Sequence, residues 1–163
     1  MTMIRPAALE DLDTIVALHT AARATYYAGH IAEEEYAGPD ELARSRAGWH
    51  RAVARGEGGV LCAEAGAGDG VVIAGIAAFR VIEGDMLLSQ FHVDPAHWNR
   101  GIGSALHTAV VAAWRQSGVS EARLGVYEHN LRAQRFYARH GWRPDEDAVR
   151  APGSAHLSLR LTV

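Results

Sequence analysis

The sequence predicts an α/β protein built on one mixed sheet, and three observations carry that prediction. The apolar period changes from helical to strand-like near residue 60. Three strand-like runs then follow one another across tight turns, which makes an antiparallel meander. After the third run, a glycine-rich turn opens a strongly helical segment, the pattern of a parallel crossover. The expected order is βααβββαβαβ, with room for a short extra strand near Trp142.

Taken in order, "MIRPA" reads as a short strand, and Pro6 ends its ladder because it has no N–H. "ALEDLDTIVALHTAARATYY" has helical spacing, with Leu9, Leu12, Ile15, Val16, Leu18 and His19 on one side. Acidic residues at its start suit the positive end of the helix dipole, and Gly29 breaks it. "GPDELARSRAGWHRAVARGEGG" reads as a second helix with a sparse stripe at Leu42, Trp49 and Val53, closed by Gly56. "VLCAEA", "VVIAGIAAFRVI" and "MLLSQFHV" are the meander, joined by "GAGDG" and "EGD". In "GIGSALHTAVVAAWRQSG", Ile102, Leu106, Val110 and Trp114 recur every fourth residue. "EARLGVYE" is the next strand. "NLRAQRFYARHG" is a short helix, with Asn130 as N-cap and Gly141 past its end. "SAHLSLRLTV" alternates as a half-buried final strand should.

The totals narrow the function. A chain of 163 residues with 48% hydrophobic and 21% charged content, without linker or repeat, is expected to form a single domain over residues 1–163. The net charge of -3 gives no general attraction to nucleic acid or to an anionic membrane. All basic residues other than histidine are arginine, which excludes lysine Schiff-base chemistry. Cys62 is the sole cysteine and sits in an apolar run, so it is expected to be a buried thiol in a reducing, cytoplasmic protein. No apolar run is long enough to span a membrane, and the N-terminal residues lack an apolar signal core. The nine histidines show no zinc spacing and are expected to be scattered and mostly exposed, with no metal bound.

The stretch "HVDPAHWNRGIGSALHTAV" raises the functional question. A helix N-terminus presents unpaired amides and a partial positive charge, and glycines let a ligand approach them. An oxyanion such as a phosphate fits there. Two nucleotide motifs are excluded: a Walker loop needs a lysine, and Leu106 fails the third position of a Rossmann fingerprint.

"VDPAHWNRGIGSAL" followed by "NLRAQRFYARHGW" resembles the Gcn5-related N-acetyltransferases (GNAT). The first segment is similar to their Gln/Arg-x-x-Gly-x-Gly/Ala acetyl-coenzyme A (acetyl-CoA) loop. The second is similar to their Asn-x-x-Ala-x-x-Phe-Tyr-x-x-x-Gly-Phe helix, with Trp142 for the last Phe. The resemblance implies a GNAT-like acyl-CoA N-acyltransferase fold with acetyl-CoA as acyl donor, entering a split between the strands that end at Val93 and near Tyr127. It implies that the pantetheine arm pairs with Phe91, His92 and Val93 and that the diphosphate sits on Asn99, Arg100, Gly101, Ile102, Gly103 and Ser104. Asn130, Arg135 and Tyr137 complete the implied cofactor contacts. The chain departs from the family where Trp98 replaces the Gln/Arg.

Acetyl transfer needs a neutral amine and a proton for the departing thiolate. Tyr137 matches the family's proposed general acid. A lysine-like amine is neutral in only about one molecule in 2,500 at pH 7, a handicap of roughly 4.6 kcal/mol. Several family members place a glutamate where this chain has Leu87, so that base is vacant or relocated. His92 is one replacement candidate, since its ordinary pKa suits a base, and a water relay is another. Tyr26, Tyr27 and Glu128 are candidates for contact with the acceptor. The expected activity is acetyl-CoA-dependent N-acetylation of a small-molecule or peptide amine. The alternative is a non-catalytic acyl-CoA-binding sensor. No nucleic acid or membrane partner is expected, and a homodimer is open to it.

Overall fold

The computed structural model describes residues 2–56 and 59–163; Glu57 and Gly58, in the glycine-rich end of the second expected helix, lie outside them, as does Met1. The described residues form seven strands: β1 (Thr2–Pro6), β2 (Val60–Ala67), β3 (Gly70–Ile82), β4 (Asp85–Val93), β5 (Glu121–Tyr127), β6 (Arg143–Pro144) and β7 (His156–Thr162). The helices are α1 (Leu12–Tyr27), α2 (Glu33–Ala37), α3 (Pro39–Ala54), α4 (Ile102–Gln116) and α5 (Leu131–Arg139). The sheet order is β1-β2-β3-β4-β5-β7-β6. β1 and β2, β2 and β3, β5 and β7, and β6 and β7 pair antiparallel. β4 and β5 pair parallel, at Met86↔Ala122 and Leu87↔Arg123. The mixed sheet and the meander are as the sequence predicts, and β6 is the extra strand near Trp142. No helix among the described residues is long and apolar enough to cross a membrane.

Two expectations need correcting. Leu9 does not join the α1 stripe: it lies in a 3-10 turn (Leu9–Asp11) and is 50% exposed. The cause is Asp11, whose carboxylate accepts from the Ala8 amide (2.8 Å) and from Arg5 Nη1 and Nη2 (2.8 and 2.9 Å), which fixes the turn ahead of the helix. The short helix α2 is absent from the expected order. Five residues are too few to show a period, although its run of glutamates suits a helix N-terminus and Tyr36 is buried.

The chain divides into two compact units, Met1–Ala78 with Gln90–Val110 and Phe79–Ser89 with Val111–Val163. In the first unit, Leu12, Ile15 and Leu18 of α1 and Trp49 of α3 pack with Val60, Cys62, Ile76 and Ala78 of the sheet. The next register pair, Ala63↔Gly75, meets α4 instead. A Cβ at Gly75 would stand 3.3 Å from the side chains of Ala63, Ile102 and Leu106, so the missing side chain lets the first turns of α4 lie close on the strands. In the second unit, Phe79, Trp114, Trp142 and Tyr137 form a chain of edge-on aromatic contacts. Ala122, Leu124 and Val126 of β5 and Leu161 of β7 are buried in the same unit.

Candidate active site

The segment after β4 is tied down at each step. The Asp94 amide donates to the Ala74 carbonyl of β3 at 2.8 Å, and the Asp94 carboxylate accepts from the Ala96 amide at 3.0 Å. A 3-10 turn (Pro95–His97) follows. Trp98 then turns back, and its indole Nε1 donates to the Val93 carbonyl at 3.1 Å. This gives the residue that departs from the family motif a mechanical role, stapling the turn to the end of the strand.

Asn99 and Gly101 both have positive φ, 62° and 77°, while Arg100 between them does not. Left-handed residues on either side of Arg100 bend the backbone sharply ahead of the helix, and such turns expose amides in a way that suits an anion. Nothing lies within 4 Å of where a Gly101 Cβ would stand. The first intrahelical bond of α4 runs from the Ala105 amide to the Gly101 carbonyl at 3.0 Å, so the Ile102 and Gly103 amides precede the helical ladder. Ser104 and Arg100 are exposed there. The turn therefore has the amides, the dipole and the open backbone that a diphosphate needs.

A second constellation comes from the helices of the same unit. His19, Arg23, Tyr26 and Tyr27 lie at i, i+4, i+7 and i+8 of α1, one stripe of the helix. Arg23 Nη1 donates to Glu41 Oε1 of α3 at 2.7 Å, and its guanidinium carbon lies 5.3 Å from the Tyr27 ring centre. Tyr27 in turn contacts Tyr26 and Tyr36. His19 is buried, and Trp49 Nε1 donates to its Nδ1 at 3.0 Å, with Ser45 Oγ also at 3.0 Å. An indole N–H only donates, so the neutral His19 ring carries its proton on Nε2. The His19 and His92 ring centres are 4.8 Å apart. His92 Nε2 donates to Gln90 Oε1 at 2.7 Å, which leaves Nδ1 as its basic nitrogen.

Burial is the main cause that pushes His19 down to about 4, with Arg23 adding to it. Burial also holds His92 well below the usual histidine range, helped by His19 and Arg23. Both rings are therefore neutral at pH 7. Burial raises the Tyr26 hydroxyl, with Tyr27 contributing.

The second unit holds the remaining candidates. Asn130 caps α5, accepting from the Ala133 amide at 3.2 Å. Tyr137 is buried, in contact with Phe136 and Trp142. Arg135 is exposed. Glu128 is held by Arg150 and stands 3.7 Å from His129. The hydrogen bond from Arg150 pulls its carboxyl below the usual range, which weakens it as a base.

The residues matched by the acetyltransferase (GNAT) family profile are 15–142. This chain belongs to the GNAT family. Among curated proteins, an uncharacterized N-acetyltransferase of Mycobacterium bovis and one of Mycobacterium tuberculosis are each 33% identical over 75 residues, covering 46% of this chain and 48% of theirs. The match thus spans about half the length of those relatives. Among solved structures, the PaiA N-acetyltransferase of Thermoplasma acidophilum in complex with coenzyme A superposes with a TM-score of 0.84 at 19% identity, over 100% of this chain and 99% of that one. A GCN5-related N-acetyltransferase of Rhodopseudomonas palustris gives 0.72 at 19% identity, over 100% and 96%. The likeness shows that this GNAT chain has the acetyltransferase fold.

Sequence reasoning missed Arg23, Glu41, Ser45, Trp49 and the pairing of His19 with His92. The i, i+4, i+7 spacing of His19, Arg23 and Tyr26 was the available signal for part of it. The histidines are also not mostly exposed. His19 and His107 are buried and His92, His97 and His140 half-buried, because helix and strand faces rather than loops carry most of them. Among the described residues, no three His, Cys, Asp or Glu side chains group as a metal site.

Proposed function

We propose that residues 1–163 act as one acetyl-CoA-dependent N-acetyltransferase domain that transfers an acetyl group directly to a primary amine. The observation that carries this reading is the turn from Asn99 to Gly103, whose two left-handed residues and early α4 amides suit a diphosphate, in a chain of the GNAT family. Acetyl-CoA supplies the activated acetyl thioester. Phe91, His92 and Val93 offer backbone to its pantetheine arm by strand addition. Asn99, Arg100, Gly101, Ile102, Gly103 and Ser104 hold the diphosphate. Asn130 and the exposed Arg135 of the α5 segment add contacts to the cofactor.

Tyr137 Oη donates the proton that the departing thiolate takes up, a transfer that becomes easier as the carbon–sulfur bond breaks and the sulfur grows more basic. His92, neutral and fixed by Gln90, accepts the amine proton at Nδ1. Its low basicity makes it an acceptor from an already neutral or attacking amine rather than from a free ammonium. Tyr26 and Tyr27 line the acceptor, and Glu128 contributes charge rather than basicity.

The same reading sets the enzyme in a reducing cytoplasm, where Cys62 stays a thiol, and allows a homodimer, which sedimentation would reveal. The test is coenzyme A release from acetyl-CoA over a panel of amines, with calorimetry of acetyl-CoA binding. Amine-dependent release that falls in Tyr137→Phe supports it. Tight binding with no turnover of any amine, unaltered in Tyr137→Phe, would favour the sensor instead.

A further inference from the structure

The acceptor-side cluster contains a cation that the proposed transfer does not use. The Arg23 side chain is only 16% exposed. A guanidinium has five N–H donors in a planar fork. One of them, on Nη1, goes to Glu41, and Tyr27 lies beneath the group. Among the described residues, Nε and Nη2 have no protein acceptor, so the fork is fixed at one end and unfilled at the other.

Glu41 does not balance this charge by itself. Its second oxygen, Oε2, accepts from Arg44 Nε and Nη2 at 3.2 and 3.0 Å. One carboxylate therefore serves two guanidinium groups. The glutamates of α2, Glu33, Glu34 and Glu35, are exposed, and none pairs with Arg23 among the described residues. The neighbouring ionisable side chains, His19, His92 and Tyr26, are all neutral at pH 7, and the field of Arg23 reaches both histidines.

We propose that the acceptor is a small amine carrying a carboxylate close to the amine, as an amino acid does, and that Arg23 is the residue that reads it. The inference rests on the acetyltransferase reading and adds the class of acceptor to it. A carboxylate fills the open side of the fork through two charge-assisted hydrogen bonds and balances the surplus charge. Tyr26 and Tyr27 offer aromatic surface to the rest of such a molecule. A polyamine would bring a second cation beside a guanidinium that is already short of counter-charge, so this cluster selects against it.

The test compares matched triples: phenylalanine, phenylalaninamide and phenethylamine, and leucine, leucinamide and isoamylamine. Coenzyme A release gives kcat/KM for each, and calorimetry gives acetyl-CoA affinity. The expected result for the wild-type protein is a preference of about 10- to 100-fold for the amino acid over the other two members of a triple. Arg23→Gln should abolish that preference while acetyl-CoA affinity is retained, and Arg23→Lys, which keeps charge but not the fork, should keep only part of it. The wild-type comparison decides even if a variant fails to fold. Equal rates within each triple, a preference for the decarboxylated amine, or acetylation of no member would overturn the inference while acetyl-CoA binding leaves the enzymatic reading in place. Loss of acetyl-CoA binding in the wild-type protein would overturn both.

Discussion

The turn after β4 and the helical cluster on α1 and α3 belong to the same unit and are built by different means. The turn works with backbone: left-handed φ at Asn99 and Gly101 and the early amides of α4. The cluster works with side chains from three helices and a strand, each fixed by another, as Trp49 fixes His19 and Gln90 fixes His92. Backbone devices need glycine and proline at set places, so they tolerate few sequences. Side-chain devices need only that helices cross at the right height, so many sequences meet them and their chemistry is free to vary. A family can therefore share the donor turn and differ in the acceptor.

Variants and conditions that strike one region and spare the other sharpen this contrast. The largest effect is expected from Gly103→Glu, which puts bulk and negative charge at the mouth of α4. It should reduce acetyl-CoA affinity by at least about 100-fold in calorimetry while leaving the fold intact by circular dichroism; unchanged affinity would sink the turn assignment.

Acidification attacks the other region. His19 and His92 have lowered folded-state values, so the unfolded chain binds more protons as pH falls below the ordinary histidine value of about 6.5. Stability is fully present above that pH and falls as pH drops towards about 4, the His19 value. His19 alone should contribute a loss of roughly 3 kcal/mol across that window. Urea titrations at pH 7 and pH 4.5 measure it, and His19→Asn should flatten the dependence.

Tyr137→Phe touches neither region. It should lower kcat by about 10- to 100-fold with little change in acetyl-CoA affinity. Equal losses in both would mean that the hydroxyl binds rather than donates. The smallest effect belongs to Trp98→Phe, which removes the hydrogen bond to the Val93 carbonyl and keeps an aromatic ring. About 1 kcal/mol, seen as a several-fold weaker acetyl-CoA affinity, is expected.

What the sequence revealed follows the same division. The meander was legible because turn residues and apolar runs are local, and the stripe of Ile102, Leu106, Val110 and Trp114 was legible because α4 is long. The glycine turn and the Asn130 cap were legible for the same reason. The left-handed backbone of Asn99 was not, because such an asparagine looks like any polar loop residue. Gly75 was hidden as well. Its purpose is the approach of residues about thirty positions away, at Ile102 and Leu106. The helical cluster joins His19 to Ser45, Trp49 and His92, and no local pattern links segments so far apart. The Leu87 side chain has no proton-accepting atom, and in β4 it stands in register with Arg123 of β5.

Cys62 has a practical consequence for anyone measuring this protein. It is fully buried, and burial pushes its thiol up to about 12, so almost no thiolate exists near neutral pH. A disulfide reagent that counts liberated coenzyme A should meet no competing sulfur from the folded polypeptide. Slow colour in the absence of both amine and acetyl-CoA then reports the rate at which folded molecules open, which turns that blank into a gauge of unfolding.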